Sequence, residues 1–193
     1  MDVYRLGIKF FAAEPAAPQV TEFIPIFHTW IQRQIVQEHL LVDVHNYSHI
    51  HQGPGILLVA HQGNFSIDMA DGRMGLLYYR KQPAAGSLHD RLVTILKSTL
   101  QGCSLLEDEP SLRGRFRFRT DDLLIIANDR LNTPNEEPTF LELQPVLSAV
   151  FERILDGAGF TLSRSSNDPK ERFAVRVQTS PSADAKTLLA RVS

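Results

Sequence analysis

Four of the seven histidines in this 193-residue chain fall close together, at His45, His49, His51 and His61. Neutral imidazoles that converge with a carboxylate are ligands for zinc and other first-row metals. A divalent-metal site formed by His45, His49 and His51 is therefore one hypothesis, and a metal- or haem-dependent enzyme would follow from it. Neither a paired-cysteine motif nor His-Glu-x-x-His is present, and a solvated polar loop is the simpler interpretation of this stretch.

A second group of polar side chains follows the apolar strand that ends near Ala60. Polar groups at strand ends often orient a bound ligand, and basic side chains favour an anionic one. The predicted ligand-binding residues are His61, Asn64, Asp68, Arg73, Tyr78 and Arg80. The sequence therefore predicts a pocket for a small molecule near the hairpin of residues 61–80.

Established catalytic motifs are not found in the sequence. It contains no Gly-x-Gly-x-x-Gly, no phosphate-binding loop that ends in Gly-Lys-Ser/Thr, and no Gly-x-Ser-x-Gly. The main hypothesis is accordingly a small-molecule-binding protein without an established catalytic reaction. The alternatives are the metal- or haem-dependent enzyme and a protein-interaction or assembly factor. A homo-oligomer is compatible with all three functions, because a sheet of short strands leaves an edge to be covered.

Alternating arginines mark the segment 113–119, where Phe116 and Phe118 are interleaved with them. Such a pattern predicts a strand with one wet face, in which the phenylalanines point into the core and cannot stack on bases. The formal net charge of −2 provides no general attraction for nucleic acid or an anionic membrane. We therefore expect neither partner.

The expected location is the cytoplasm. Cys103 is the only cysteine, so no intramolecular disulfide is possible, and the N-terminal residues lack the basic and apolar regions of a signal peptide. No apolar run approaches the ~20 residues that a membrane span needs.

Hydrophobic periodicity predicts an α+β fold with a mainly antiparallel sheet and three main helices. The helices are predicted at 21–35, 87–103 and 141–155, the second with a capping box formed by Ser87 and Asp90. The strands are predicted at 3–12, 40–44, 56–60, 65–69, 74–80, 115–119, 123–127, 160–163 and 173–177, with prolines ending the first near 14–18 and a turn at Asp121-Asp122.

The order of these elements predicts an internal duplication. The helix at Thr21 aligns without a gap on the helix at Leu141, which places Pro25 on Pro145. The sequence therefore predicts one compact unit of two βαββ halves. The first half is residues 1–82 with a histidine-rich insertion at 43–55, and the second half is residues 122–180. A connecting helix and arginine strand at 86–120 lie between the halves, and a peripheral tail at 181–193 follows them. This order resembles that of the tandem βαββ proteins known as GyrI-like and of the tandem ferredoxin-like α+β barrels. The first resemblance implies a small molecule bound between the halves.

Overall fold

Eight antiparallel strands form one sheet in the computed structural model, which describes residues 3, 5–13, 18–180 and 183–193, the side chain of Asp71 excepted. The strands are β1 (Leu6–Ala12), β2 (Leu41–Tyr47), β3 (Gly55–Ala60), β4 (Gly63–Asp68), β5 (Gly75–Arg80), β6 (Phe118–Ala127), β7 (Phe160–Arg164) and β8 (Ala174–Thr179). The helices are α1 (Phe23–Arg33), α2 (Leu88–Glu107), α3 (Glu137–Ile154) and α4 (Ala185–Val192). The strand order is β2-β3-β4-β5-β1-β6-β8-β7, so β5 and β1 are central, β6 lies beside β1, and β2 and β7 are the edges.

The α+β class and the antiparallel sheet are confirmed, and the capping box that opens α2 is present as predicted. Ser87 Oγ accepts from the backbone N–H of Asp90 at 3.3 Å, and the Asp90 carboxylate accepts from the backbone N–H of Ser87 at 2.9 Å. The proline break predicted at 14–18 lies largely outside the described residues. No helix in the described part of the chain is long and apolar enough to cross a membrane.

The C-terminal segment forms a short helix, so the described residues contain four α-helices. Asp184 begins α4 by accepting a hydrogen bond from the backbone N–H of Thr187 at 2.8 Å. Ala185, Leu188 and Val192 are buried along one side of the helix. Their spacing of three and four residues gives this short segment an apolar side to pack against the core.

The arginine strand predicted at 115–119 is not a separate strand, because only Phe118 and Arg119 are in a strand and they begin β6. The chain makes turns from residue 110 to 115, and β6 then runs without interruption from Phe118 through the predicted turn at Asp121-Asp122. Phe116 and Phe118 are both buried, with ring centroids 4.8 Å apart. The two phenylalanines therefore alternate because both pack into the core near the start of β6, and they do not mark a separate strand.

All four helices pack on one face of the sheet. Their buried side chains form a single hydrophobic cluster with alternate residues of the strands, including Ile8, Phe65 and Ile125. The intervening strand residues point to the other face, which we call the open face. A second, smaller cluster lies there and consists of Phe11, Leu77, Leu124 and Ile126.

The predicted duplication is not established by the element order. Four strands follow α1 in the first half, whereas two follow α3 in the second. The gapless alignment also places Pro25, in the first turn of α1, on Pro145, which lies in the interior of α3. The two halves therefore remain a prediction.

Candidate ligand-binding site on the open face

The open face carries buried charges at its centre. Lys9 on β1, Asp68 at the end of β4 and Asp122 on β6 are 0, 6 and 1% exposed. Charged side chains are almost never so fully buried unless they are paired. Each of the three is satisfied by a specific set of partners.

Lys9 uses its ammonium group to tie the connection between β4 and β5 to the middle of the sheet. Its Nζ donates to Asp68 Oδ2 at 2.5 Å, to the carbonyl oxygen of Ala70 at 3.0 Å and to that of Arg73 at 2.9 Å. An ammonium group has three protons, so these three acceptors use all of them. The β4–β5 connection is thereby fixed over the open face.

Asp122 binds two arginines from different parts of the chain. Arg176 on β8 donates to both carboxylate oxygens, at 2.7 and 2.6 Å, and Arg73 donates to Oδ2 at 3.0 Å. Burial alone would raise the pKa of the Asp122 carboxyl, but the hydrogen bonds from both arginines outweigh it and hold that pKa below its ordinary value. The Arg73 guanidinium also lies 3.5 Å from the centroid of the Phe11 ring.

Beside this network lies a cavity of about 370 Å³ with an apolar floor. Leu124 and Ile126 of β6 and Ala174 of β8 form the floor. The rim is polar and basic, and it consists of Gln52, Arg130, Ser165, Ser166, Lys170, Glu171 and Arg172, with Ala70 from the β4–β5 connection. The lining therefore combines residues from the β2–β3 and β4–β5 loops with residues from β6 and from the chain that follows it.

Three cations face this cavity against one carboxylate. Arg130, Lys170 and Arg172 are exposed, and none of them forms an ion pair with a carboxylate among the described residues. Glu171 is the acidic member of the rim. The excess of unpaired positive charge favours an anionic group at the mouth of the cavity.

The β7–β8 loop that carries two of these cations is held by Asn135. Its Nδ2 donates to the carbonyl oxygens of Ser166 at 3.1 Å and Asp168 at 2.8 Å, and the side chain is only 3% exposed. Arg164 adds a hydrogen bond to Asn167 Oδ1 at 2.9 Å. The loop is thus fixed from below at the position where it forms the rim.

Arg172 also contacts the sheet through Tyr79. Its Nη1 donates to the Tyr79 hydroxyl oxygen at 3.0 Å. Burial raises the pKa of the Tyr79 hydroxyl to about 12, although the positive charge of Arg172 opposes the shift. Tyr79 therefore stays a neutral hydroxyl at physiological pH, which leaves the charge of Arg172 uncompensated.

The six predicted ligand-binding residues do not meet at one place. Asn64 and Asp68 lie on the open face, because Asn64 pairs with Tyr79 and Asp68 with Gly75 in the β4–β5 register, and Arg73 reaches the same face from the connecting loop. Asp68 and Arg73 are held by the Lys9 and Asp122 networks. Alternation along β5 turns Tyr78 and Arg80 to the helix face, and His61 is exposed in the β3–β4 turn.

Tyr78 belongs instead to a buried pair with His39. The Tyr78 hydroxyl lies 2.7 Å from His39 Nε2, and His39 Nδ1 lies 2.8 Å from the carbonyl oxygen of Gln37. A carbonyl only accepts, so Nδ1 carries the proton and Nε2 accepts from Tyr78. Burial lowers the pKa of the His39 imidazole, which keeps it neutral.

The clustered histidines do not form the predicted metal site. Among the described residues, no group of three or more His, Cys, Asp and Glu side chains is placed to hold a metal ion. His45 lies on β2, but that strand ends at Tyr47 and the chain then makes turns, so His49 and His51 do not share a strand face. His45 instead lies 3.5 Å from Asp43, its neighbour on the same face of the strand.

Carboxylates pair with three arginines of the alternating segment and with Arg176 on β8. Arg115 contacts Glu22 at 2.9 Å and Arg119 contacts Asp121 at 2.8 Å. Arg117 lies 3.6 Å from Glu107, and Arg176 is held by Asp122. Neutralised guanidinium groups give little attraction for a phosphate backbone.

Several residues of this site were missed from the sequence. Lys9 is a lone charge in the otherwise apolar segment Leu6–Ala12, which is a signal for a buried functional or paired group. Lys170 and Arg172 could not be identified from the sequence, because nothing in sequence spacing places the β7–β8 loop over β6. No protein-family model matches this chain, and neither a curated protein nor a solved structure matches it.

Proposed function

We propose that this protein binds a small amphipathic anion in the cavity on the open face. The observation that carries the proposal is the combination of an apolar floor of Leu124, Ile126 and Ala174 with unpaired cations at the rim. Burial of an apolar body on the floor provides affinity, and charge-assisted hydrogen bonds at the rim orient the anionic group.

The size of the cavity fits a metabolite rather than a macromolecule. Its volume of about 370 Å³ falls within the ~300–1,000 Å³ range of small-molecule sites. Arg130 and Arg172 each present a planar guanidinium suited to a carboxylate or a phosphate, and Lys170 adds a flexible point charge. Ser165 and Ser166 supply hydroxyls that can donate to the same anionic group.

The direct test is a titration with three probes that share one chain length. Octanoate combines an apolar body with a carboxylate, octanol lacks the charge, and octylammonium reverses it. We expect octanoate to raise the melting temperature in a concentration-dependent way, and the other two to have no such effect. Equal stabilisation by octanol would show that the rim cations do not select the ligand, and no response to octanoate would contradict the proposal.

Two rim substitutions separate the role of charge from the role of folding. Arg130→Gln and Lys170→Gln change exposed side chains that form no ion pair among the described residues, so the fold should be kept. Each should weaken octanoate binding by about tenfold, equivalent to ~1.4 kcal/mol. The matched control is Arg113→Gln, which changes an exposed arginine in the turn before β6 and should leave binding unchanged.

We also infer that the chain consists of two related halves with the ligand between them. In support, β1 and β6 lie side by side in the interior of the sheet, and each is followed along the chain by a helix. The last strand of each half pairs back onto the first, β5 onto β1 and β8 onto β6, and α2 lies between the halves along the chain. Gln52 and Ala70 line the cavity from the first half. Superposition of β1 and α1 on β6 and α3 in an experimental structure, with the same crossing angle, would support this; a different helix position would refute it.

The proposed location is the cytoplasm. The only cysteine, Cys103, is fully buried on α2, and burial raises the pKa of its thiol well above the ordinary value. A protein without a disulfide suits a reducing compartment. Fractionation of a tagged chain would test this location.

A further inference from the structure

The edge strand β2 leaves part of its backbone without a strand partner. Among the described strands it pairs only with β3, and the side chain of Gln34 covers one end by bonding the N–H and carbonyl oxygen of Leu41. The backbone N–H of Val44 donates to its own neighbour, Asp43 Oδ1, at 2.8 Å. Because alternate residues of an antiparallel strand face the same side, Val44 and Asn46 direct their backbone groups away from β3.

The side chains of this edge complement a second copy of the same strand. Asp43 and His45 lie on one face of β2, with the carboxylate and imidazole 3.5 Å apart and about half exposed. If two copies pair antiparallel about Val44, Asp43 of each copy lies opposite His45 of the other. The same register brings the outward backbone groups of both copies together. This pairing uses the regular part of β2, because the register of β2 with β3 shifts between Leu41 and Asp43.

We propose that β2 is a self-association surface through which two copies of this chain extend their sheets into one. The pairing replaces the local bond between Asp43 and the Val44 N–H with backbone bonds between the copies. It also covers the strand edge that β2 leaves at the end of the sheet. The surface is separate from the open-face cavity, so it does not depend on the proposed ligand.

Cross-linking tests the register. In the proposed pair the two Val44 residues face each other across the symmetry axis, about 5.5 Å apart at Cα, which suits a disulfide. Val44→Cys should therefore form a disulfide-linked dimer under mild oxidation. Asn46→Cys is the matched control, because Asn46 of one copy does not lie opposite Asn46 of the other. Cys103 is buried and should not react. Equal cross-linking of both variants, or none of Val44→Cys, would overturn the proposed register.

Charge exchange tests the complementarity in solution. Sedimentation of the wild-type chain in EDTA should show a concentration-dependent dimer. His45→Asp places like charges opposite each other twice and should weaken association by about tenfold. The double variant Asp43→His/His45→Asp restores both pairs and should associate like the wild type. A monomeric wild-type chain, an association that needs added zinc, or a double variant as weak as the single one would overturn the proposal.

A proline substitution tests the role of the backbone. Val44→Pro removes an outward N–H and no bond to β3, and proline is tolerated on edge strands. The variant should keep its circular dichroism spectrum and melting transition but fail to dimerise. A folded Val44→Pro variant that still dimerises as the wild type does would show that the chains associate elsewhere.

Discussion

The ammonium nitrogen of Lys9 lies 2.5 Å from Oδ2 of Asp68, at the centre of a sheet face that none of the four described α-helices covers. The pair fixes the β4–β5 connection, whose Ala70 lines the cavity. A buried charge whose partner has been removed is strongly unfavourable, whereas removal of both charges can be neutral. This contrast gives the first prediction.

Lys9→Met should destabilise the protein by about 3–5 kcal/mol, because Asp68 is left buried without a counter-charge. Lys9→Met/Asp68→Asn removes both charges and should recover most of that loss. Urea unfolding monitored by circular dichroism measures both variants. If the double variant were as unstable as the single one, the loss would come from packing and not from the unpaired carboxylate.

Asp122→Asn should destabilise the protein at pH 7 by about 2 kcal/mol, because charge-assisted hydrogen bonds to Arg73 and Arg176 are weakened. The pKa of Asp122 is lower in the folded chain than its ordinary value of 3.8. Its contribution to stability is therefore fully present above pH 3.8 and is lost as the pH falls through the lowered folded-state pKa. Unfolding free energies of wild type and variant should converge over that acidic range. A difference that does not change with pH would contradict the ion-pair interpretation.

Glu107 should show the opposite pH dependence. Burial raises the pKa of this carboxyl above its ordinary value of 4.5, although a hydrogen bond from the Phe118 N–H and the charge of Arg117 oppose the shift. The protonated form is therefore favoured by folding, and its stabilisation is present below pH 4.5 and lost as the pH rises through the folded-state pKa.

Glu107→Gln keeps an oxygen that accepts from the Phe118 N–H but carries no charge. We expect it to be more stable than the wild type at pH 7 and equal to it below pH 4.5. Chemical denaturation at a series of pH values measures the difference. A variant that is less stable at pH 7 would mean that the contact with Arg117 outweighs the cost of burial.

His39 should be neutral and protonated on Nδ1 at pH 6.5, where an ordinary histidine is about half charged. The Nδ1 of His39 donates to the carbonyl oxygen of Gln37, and its Nε2 accepts from the hydroxyl of Tyr78. Nitrogen chemical shifts of the imidazole ring report the tautomer directly. Tyr78→Phe should destabilise the protein by about 1–2 kcal/mol, since Nε2 loses its donor. An imidazolium signal at pH 6.5 would contradict this assignment.

Local patterns predicted the elements better than the site. The stripe of leucines and isoleucines in α2 and its capping box depend on neighbours three and four residues apart, so they could be read from the sequence and are confirmed. The contact of Arg73 with Asp122 spans 49 residues and that of Arg176 with Asp122 spans 54. No spacing rule joins them, because it is the strand order that brings β6, β8 and the β4–β5 connection together.

The errors have a similar origin. Alternation in the arginine segment is the pattern of a strand, but residues 110–115 form turns, and only Phe118 and Arg119 of the predicted strand belong to β6. In β5, the sequence could not decide which of Tyr78 and Tyr79 faces the helices. The register with β1 places Gly7 opposite Tyr79, whose ring atom lies only 2.5 Å from where a Cβ on Gly7 would be. That absence of a side chain lets Tyr79 lie over the open face.

Amide chemical shifts during an octanoate titration test the central proposal most directly. We expect the changes to cluster at Leu124, Ile126 and Ala174 and along the rim. We also expect them to disappear in Ala174→Phe, which fills the floor of the cavity and leaves the three rim cations in place. Shifts that arise elsewhere, or that persist unchanged in the folded Ala174→Phe variant, would contradict binding in this cavity.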